Sequence, residues 1–512
     1  MKTREYHAAR WSEPIIHELT SPGERGFIPP RAEKRIRDRV GEAPSLVPEP
    51  LRRRTEPGLP ELSQAQVLRH YLRLSQMTLG MELGIDVGVG TCTMKYSPKV
   101  NEGLAQMIAE VHPDQPEETI QGLLEVVYEF GDMFLREISG MDAFSFQPPG
   151  GSAGAYNNAL IMRKYHQVQG EPWRDEVITT IFSHPCDAAC PATAGYKVIT
   201  LYPDPETGLP DAEALKEAVG PRTAGCFITN PEDTGIFNKH IDEWTQIIHD
   251  AGGLCSYDQA NANAIMGVTR AREAGFDMCF FNLHKTFSSP HGSSGPGSAA
   301  IGVTAELEPY LPVPVIVKRG SRYHLDYDRP LSIGRVRDFM GNLQAVVRSY
   351  AWCMALGAEG LREAAEVSMI NNQYLAEKLR QVRGVTLPFR GRRLDQARWS
   401  LERLKEETGV GVQDVNNRLI DYGVQSMFTS HHPWLVPEPF TPEPCETYSR
   451  ADIDYWVEAL KTVIDEAYAD PQLVKTAPHR SSNHNVVDGG FDDPDRWAMS
   501  WRAYKRKRGG VR

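Results

Sequence analysis

A lysine at the end of a strand-like apolar segment is the residue of this chain whose position most strongly indicates chemistry. Lys285 follows the run FFNLH and precedes a loop rich in glycine, serine and proline. Upstream, the hydrophobic segment 253–257 ends in Asp258, and one helix and one strand fit between the two residues. On successive strand ends, the carboxylate can pair with the ring nitrogen of a pyridine cofactor while the amine forms a Schiff base. A surface lysine and a turn aspartate are the alternative, but the combined context favours pyridoxal phosphate.

A glycine-rich turn supplies a candidate site for the cofactor phosphate. Residues 150–154 read GGSAG and precede a helical pattern over residues 156–166. A helix N-terminus presents free backbone N–H groups, and small residues let an anion approach them. We therefore expect Gly151, Ser152 and Ala153 to bind the phosphate, although such a turn alone is usually only a turn. The segment does not match the dinucleotide pattern G-x-G-x-x-G, and no P-loop is present.

Three more polar residues follow strand-like segments and are candidates for cofactor binding. His184 could stack on the pyridine ring or be an ordinary hydrogen-bonded loop histidine. His284 could contact the phosphate or relay a proton, although strand alternation would point its side chain away from that of Lys285 and into packing. Asn230 could contact the phenolic oxygen of the cofactor or cap the turn that follows it.

The central sequence pattern predicts an α/β fold. Short apolar segments alternate with amphipathic or loop segments, at residues 177–182, 198–202, 224–229, 254–257, 278–283 and 299–303. This alternation is typical of a mostly parallel sheet covered by helices, which binds ligands at the carboxyl ends of its strands. Asp258 and Lys285 fall at two such ends.

Changes in composition predict four regions. Residues 1–62 are an N-terminal extended arm rich in proline and arginine, which either stays mobile or wraps over a partner subunit. Residues 63–340 form a large cofactor-binding domain, 341–470 a smaller C-terminal α+β domain, and 471–512 an irregular tail. In the smaller domain, Ser449 and Asp452 form a variant of the capping box before an apolar stripe at helical spacing.

The overall composition narrows the classes of function. With 512 residues, 41% of them hydrophobic, the chain can bury a large core, and its net charge of −11 gives no reason to expect nucleic-acid binding. No apolar run is long enough to cross a bilayer, so we expect a soluble, cytoplasmic protein. The eight cysteines are scattered and predict no disulfide framework. Cys186 and Cys190 lack a second pair, so no zinc site is expected.

Several collinear segments resemble the P-protein of the glycine cleavage system, and more narrowly the second subunit found where this glycine decarboxylase is split into two chains. They read GTCTMKY (90–96), YDQANANAIMG (257–267), GFD (275–277), NLHKTF (282–287), LEPYLPVP (307–314), VPEP (436–439) and EPCET (443–447). The resemblance implies a pyridoxal phosphate enzyme of fold type I that decarboxylates glycine and passes the aminomethyl group to a lipoyl carrier protein. It also implies an oligomer, homomeric or with a first subunit, and favours an arm that wraps over that partner.

The departures from the family lie at the proposed site. The family's Ala-His-Gly-Glu reads Ser-Ala-Gly-Ala at residues 152–155, and its Gly-Thr-Asn-Pro-Ala after the histidine reads Pro-Cys-Asp-Ala-Ala at residues 185–189. The loop after the lysine carries Ser293 and Ser294. The cofactor residues are retained while the substrate residues differ. The alternatives are therefore a specialised enzyme acting on another amino acid without a lipoyl partner, or a non-catalytic partner subunit, which Asp258 and Lys285 argue against.

Overall fold

A computed structural model describes residues 3–4, 6–28, 30–41, 43–55, 57–80, 83–85, 87–88, 95–291, 295–425, 427, 429–482, 498 and 500–508. The family-like residues 90–94, the loop residues Ser293 and Ser294, and much of the predicted tail lie outside these ranges.

A seven-stranded sheet forms the centre of the molecule. Its strands are β1 (Ala143–Ser145), β2 (Glu176–Thr180), β3 (Lys197–Leu201), β4 (Thr223–Thr229), β5 (Leu254–Asp258), β6 (Met278–Asn282) and β7 (Ala299–Val303), in the spatial order β1-β7-β6-β5-β4-β2-β3. Neighbouring strands from β3 to β6 run parallel, whereas β7 pairs antiparallel with both β6 and β1. The mostly parallel sheet confirms the predicted α/β class.

Within the described residues, nine α-helices precede the strands of the sheet or connect them. They are α1 (Lys34–Val40), α2 (Gln64–Gln76), α3 (Lys99–Gln106), α4 (Gln121–Glu129), α5 (Arg136–Ser139), α6 (Gly151–Val168), α7 (Cys186–Thr193), α8 (Ala212–Ala218) and α9 (Ile241–Asp250). A π-helical turn, Phe130–Leu135, joins α4 to α5. Helix α9 shows why these segments pack on the sheet, because Ile241, Trp244 and Ile248 repeat at helical spacing and are all buried.

The remaining elements follow the sheet in the chain. They are the hairpin strands β8 (Val315–Arg319) and β9 (Arg322–Asp326), α10 (Leu343–Leu379), the pair β10 (Trp399–Ser400) and β11 (Pro439–Phe440), and the helices α11 (Glu402–Thr408), α12 (Val412–Leu419), α13 (Arg450–Ala469), α14 (Pro471–Lys475) and α15 (Trp501–Lys507). Helix α10 is interrupted at Gly357, whose φ of 63° is left-handed. Helix α13 has the predicted cap, since Asp452 N donates to Ser449 Oγ at 3.2 Å and Ser449 N to Asp452 Oδ2 at 2.9 Å.

The apolar core is divided along the chain. One buried cluster joins the sheet to the first part of α10, and a second joins the last part of α10 to α11, α12 and α13. Val87, which precedes the large sheet in sequence, belongs to the second cluster. The division at residue 340 into two domains stays a prediction.

Both chain ends contact the rest of the chain. In the arm, Ala8 N donates to Arg480 O at 3.1 Å, and Trp11 Nε1 donates to Gln76 Oε1 at 2.9 Å. In the tail, the ring of Trp501 stacks on His17 with centroids 4.4 Å apart. Searched over the described residues, no helix has both the length and the apolar character required to cross a membrane.

Candidate functional site

A cavity of about 410 Å³ lies where the carboxyl ends of β5 and β6 meet the N-terminus of α6. Seven of the eight predicted site residues line it: Gly151, Ser152, Ala153, His184, Asp258, His284 and Lys285. They come from four separate segments of the chain. The parallel sheet therefore brings together residues that are far apart in the sequence. The predicted residue that is not among the lining residues is Asn230.

Lys285 lies in a turn directly after β6. The strand ends at Asn282, and Lys285 N donates to the carbonyl of Asn282 at 3.1 Å, which folds the chain back at the edge of the sheet. The residue is only 6% exposed although it carries an amine, and it lines the cavity. A buried amine that faces a cavity is suited to covalent attachment of an aldehyde.

Asp258, the last residue of β5, is 4% exposed. Its Oδ1 accepts a hydrogen bond from Ala260 N at 2.8 Å. Burial raises the pKa of the carboxyl to about 6, against the lowering effects of that hydrogen bond and of the Lys285 charge. A cationic ring nitrogen in the cavity would therefore find a carboxylate that it can stabilise in the ionised form.

His184 follows β2 and precedes α7. Its Nδ1 accepts a hydrogen bond from Cys186 N at 3.1 Å, which fixes the ring and leaves the proton of the neutral imidazole on Nε2. Burial and the charge of Lys285 lower the pKa of His184 to about 4, so the ring is neutral at physiological pH. A neutral, fixed imidazole in the cavity wall is suited to stacking against a flat cofactor.

His284 lines the same cavity as Lys285, and whether its side chain serves the cofactor or packing stays a prediction. Strand alternation does not apply to it because β6 has already ended at Asn282. The His284 ring lies 4.0 Å from that of His291, and its Nδ1 is 3.2 Å from Ser298 N, which can donate to it. Burial, followed by His291 and Lys285, lowers the pKa of His284 to about 3.

Asn230 has a structural role at the end of β4. Its Nδ2 donates to Asn238 O at 3.2 Å, and its Oδ1 accepts from Asn238 N at 2.8 Å. Both ends of the amide are thus used in bridging a turn, which agrees with the alternative that it caps the turn. Contact between Asn230 and the cofactor stays a prediction without geometric support.

The glycine-rich turn has the shape of an anion cradle. The first helical bond of α6 runs from Gly154 N to Gly150 O at 2.9 Å, so the three preceding N–H groups lack helical acceptors. A Cβ added to Gly151 would lie 2.8 Å from Nδ2 of Asn282, and Asn282 Oδ1 is buried without a hydrogen-bond partner. Together with Lys285, these features fit pyridoxal phosphate. The potential metal-binding atoms of His184, Cys186 and Asp258 also lie within 4.8 Å of one another. The neighbouring N–H groups of α6, however, would bind an anion and not a metal cation, so the cavity as a whole fits the cofactor better.

Gly151→Ala should weaken cofactor binding at least about tenfold, because the new methyl group displaces Asn282 or the helix N-terminus that we expect to hold the phosphate. Fluorescence titration of the apo-protein with pyridoxal phosphate measures the Kd. Gly103→Ala is the matched control, since it also lies in a helix and its added Cβ would meet nothing within 4 Å. Equal affinities in the two variants would show that the phosphate binds elsewhere.

Sequence reasoning missed two groups beside the cavity. Asp187, in the first turn of α7, is fully buried next to Asp258. Behind His184, the buried Arg398 Nη2 donates to Asp233 Oδ2 at 2.8 Å. Its position three residues after His184 was the only sequence signal for Asp187, and the pair of Arg398 and Asp233 had none.

Comparisons with known proteins agree with this geometry. A sequence model described as "Glycine dehydrogenase, C-terminal domain" matches residues 364–483, and one for the DegT/DnrJ/EryC1/StrS aminotransferase family matches residues 157–271. A probable glycine dehydrogenase (decarboxylating) subunit 2 from Pyrococcus abyssi is 43% identical over 504 residues, which cover 98% of this chain and 98% of that relative. A protein of the same name from Halalkalibacterium halodurans is 40% identical, covering 94% of this chain and 95% of its own length.

Solved structures share the fold at low identity. Glycine decarboxylase (P-protein) of the glycine cleavage system, in inhibitor-bound form, matches with a TM-score of 0.69 and 18% identity over 85% of this chain and 99% of that one. The cysteine desulfurase CsdA from Escherichia coli matches with a TM-score of 0.54 and 14% identity over 77% of this chain and 97% of that one. The fold is that of the pyridoxal phosphate enzymes of fold type I. The chain belongs to the family of glycine dehydrogenase (decarboxylating) subunit 2, which confirms the resemblance found in its sequence.

Proposed function

We propose that this protein is a pyridoxal phosphate-dependent glycine decarboxylase subunit, which releases carbon dioxide from glycine and passes the aminomethyl group to a lipoyl carrier protein. The observation that carries the proposal is the shared cavity: the lysine, the aspartate and the phosphate cradle line it in a chain that is 43% identical to a glycine dehydrogenase subunit. When bound, pyridoxal phosphate supplies an electron sink for the electron pair left on the α-carbon.

The residues of the chain have separate roles in this proposal. The N-terminus of α6 holds the phosphate through backbone N–H groups, and Lys285 holds the cofactor aldehyde through its Nζ. Asp258 accepts a hydrogen bond from the protonated ring nitrogen, and its negative charge keeps that proton in place. His184 packs against the face of the ring and fixes its orientation. These contacts position the bond to the leaving carboxylate while the walls limit the access of water.

Few of the described side chains that line the cavity could bind the substrate carboxylate. Among the cavity-lining residues that the structure describes, Lys285 is the only lysine or arginine, and His184, His284 and His291 are the imidazoles. Because burial keeps His184 and His284 neutral, they would act as hydrogen-bond donors and not as charges. A small amino acid fits this site better than one with a second acidic group.

A partner subunit and a carrier are part of the proposal. The name of the relatives, "subunit 2", supports assembly with a first subunit. Transfer to a lipoyl arm and a cytoplasmic location are further parts of the same proposal.

A specialised enzyme for another amino acid is the second candidate. Its support is local: Ser152 and Ala153 are the small residues that line the cavity in the segment where the family carries a histidine. Losing that imidazole removes a group able to handle a proton and leaves room beside the reacting carbon.

The decisive test is exchange of the glycine carboxyl carbon with labelled bicarbonate, in the presence of a lipoyl carrier and a first subunit. We expect glycine to change the visible spectrum of the bound cofactor and to exchange its carboxyl carbon, but slowly, because the substrate residues differ from the family pattern. Parallel titration with larger amino acids provides the comparison. Fast, lipoyl-dependent exchange would support the glycine reaction without modification, whereas a stronger spectral response to a larger amino acid would support the specialised enzyme.

A further inference from the structure

Two carboxyl groups lie side by side beneath the cofactor cavity. Asp187 is 0% exposed and Asp258 is 4% exposed, and the two side chains are within hydrogen-bonding reach of each other. They come from different elements, since Asp187 belongs to α7 and Asp258 ends β5. Two ionised carboxylates at this separation and depth would repel each other strongly, because little solvent screens them.

Hydrogen bonding shows which oxygen lacks a partner. Asp187 Oδ2 accepts from the hydroxyl of Thr229 at 3.1 Å, and Thr229 is the β4 neighbour of Asp258 in the sheet. Among the residues that the structure describes, none donates to Asp187 Oδ1, although this oxygen is buried. A proton on Asp187 would turn this orphaned acceptor into a donor and satisfy it.

We propose that Asp187 and Asp258 share one proton, and that neutral Asp187 is a positioning residue that donates it to the Asp258 carboxylate facing the cofactor ring nitrogen. The donated hydrogen bond spreads the negative charge of Asp258 and holds its carboxyl plane in place. Asp187 thereby sets how strongly Asp258 binds the ring nitrogen without touching the cofactor. The part of this inference that concerns the cofactor rests on the proposed function; the shared proton does not.

The surrounding titratable groups are consistent with one proton for the pair. Asp187 faces Cys186 and Cys190 on its own helix. Asp258 faces the same two cysteines, His184 before α7, Asp233 from the segment after β4 and Lys285 from the turn after β6. Burial, followed by the charge of Asp258, raises the pKa of Asp187 well above its usual range. Lys285 offsets one negative charge, which leaves the second carboxyl to be neutralised by the proton.

The sign of the pH dependence follows. An unfolded aspartate loses its proton near pH ~3.9, whereas the folded pair keeps one at higher pH. Unfolding near neutral pH therefore releases this proton, and the pair's contribution to stability falls as the pH rises towards the folded pKa.

Asp187→Asn tests the shared proton in the apo-protein, because the amide keeps a donor for Asp258 but cannot titrate. The infrared difference spectrum between wild type and variant should show the loss of one protonated-carboxyl C=O band. About one proton fewer should be released on unfolding near pH 6. Asp250→Asn, at an exposed position, should change neither quantity. An infrared spectrum of Asp187→Asn that matches wild type would overturn the inference.

The positioning role is tested by the pair Asp187→Asn and Asp187→Leu, of which only asparagine keeps a hydrogen-bond donor at this position. We expect Asp187→Asn to bind pyridoxal phosphate within about threefold of the wild-type Kd, and Asp187→Leu to bind it at least about tenfold more weakly. Equal Kd values for the two variants, both measured on folded protein, would remove the positioning role. Failure of the wild type itself to bind the cofactor would instead refute the proposed function and leave the infrared result standing.

Discussion

Lys285→Ala is expected to abolish covalent attachment of the cofactor and to lower turnover at least ~10³-fold, because no other amine among the described cavity-lining residues can replace Nζ. Borohydride reduction of the wild-type holoprotein, followed by peptide mapping, should locate the cofactor on the peptide containing Lys285. The variant should give no labelled peptide.

The fold should survive this substitution. The Lys285 side chain faces a cavity and not the apolar core, so its removal leaves little unfilled core volume. In a chain of this size, a change of about 1 kcal/mol shifts the melting temperature by only ~2 °C or less. Lys197→Ala, at an exposed strand position, is the matched control and should retain both labelling and turnover. Labelling of Lys285→Ala at another lysine would show that the site has been assigned to the wrong residue.

Residues next to strand ends were predictable because a residue that follows a strand in the sequence also lies at the end of that strand in the fold. The apolar segments predict β5 and β6 within a residue or two of their observed ends, and Asp258 and Lys285 follow directly from them. The glycine-rich segment was predictable for a similar reason, since its residues form the N-cap and the first turn of α6. In each case, a local change in the periodicity of apolar residues was enough to locate the position in the sequence.

Features that depend on distant parts of the chain were not predictable in this way. The Asp233–Arg398 pair joins residues separated by 165 positions, and neither has a local pattern that indicates the other. The orientation of His284 depended on whether β6 ends before or after it, and such a boundary is the least certain part of a sequence reading. The antiparallel direction of β7 is set by its connection to β6, which the apolar pattern of a strand does not record.

The same limit explains why Asp187 was missed while Asp258 was found. An aspartate in the first turn of a helix is ordinarily a favourable helix residue, so the type and position of Asp187 do not by themselves indicate a second role. Only the packing of α7 against β4 and β5 brings its carboxyl to Asp258, as the Thr229 hydrogen bond shows. A buried acid pair is therefore a property of the sheet and not of either segment.

Asp258→Asn is expected to bind pyridoxal phosphate but to lower turnover by about 10²–10⁴-fold, the range typical of removing a group that handles a proton. The carboxylate has two roles in the proposed mechanism, and this substitution separates them. Its Oδ1 accepts the hydrogen bond from Ala260 N, which the amide oxygen of asparagine can also accept, so the turn after β5 should remain. Its charge, which in the proposal keeps the ring nitrogen protonated, has no equivalent in asparagine.

Asp258→Ala completes the test because it removes both roles. If the charge matters, both variants should lose turnover to a similar degree, and Asp258→Ala should in addition be less stable, as seen in its urea unfolding midpoint. If Asp258 only holds the turn, Asp258→Asn should keep near-wild-type turnover while Asp258→Ala loses it.

Because neutral Asp187 lies against this carboxyl, replacing the charge at residue 258 should also lower the pKa of Asp187, since the charge of Asp258 raises it in the wild type. The pH dependence of unfolding in Asp258→Asn then measures how far the two carboxyl groups are coupled.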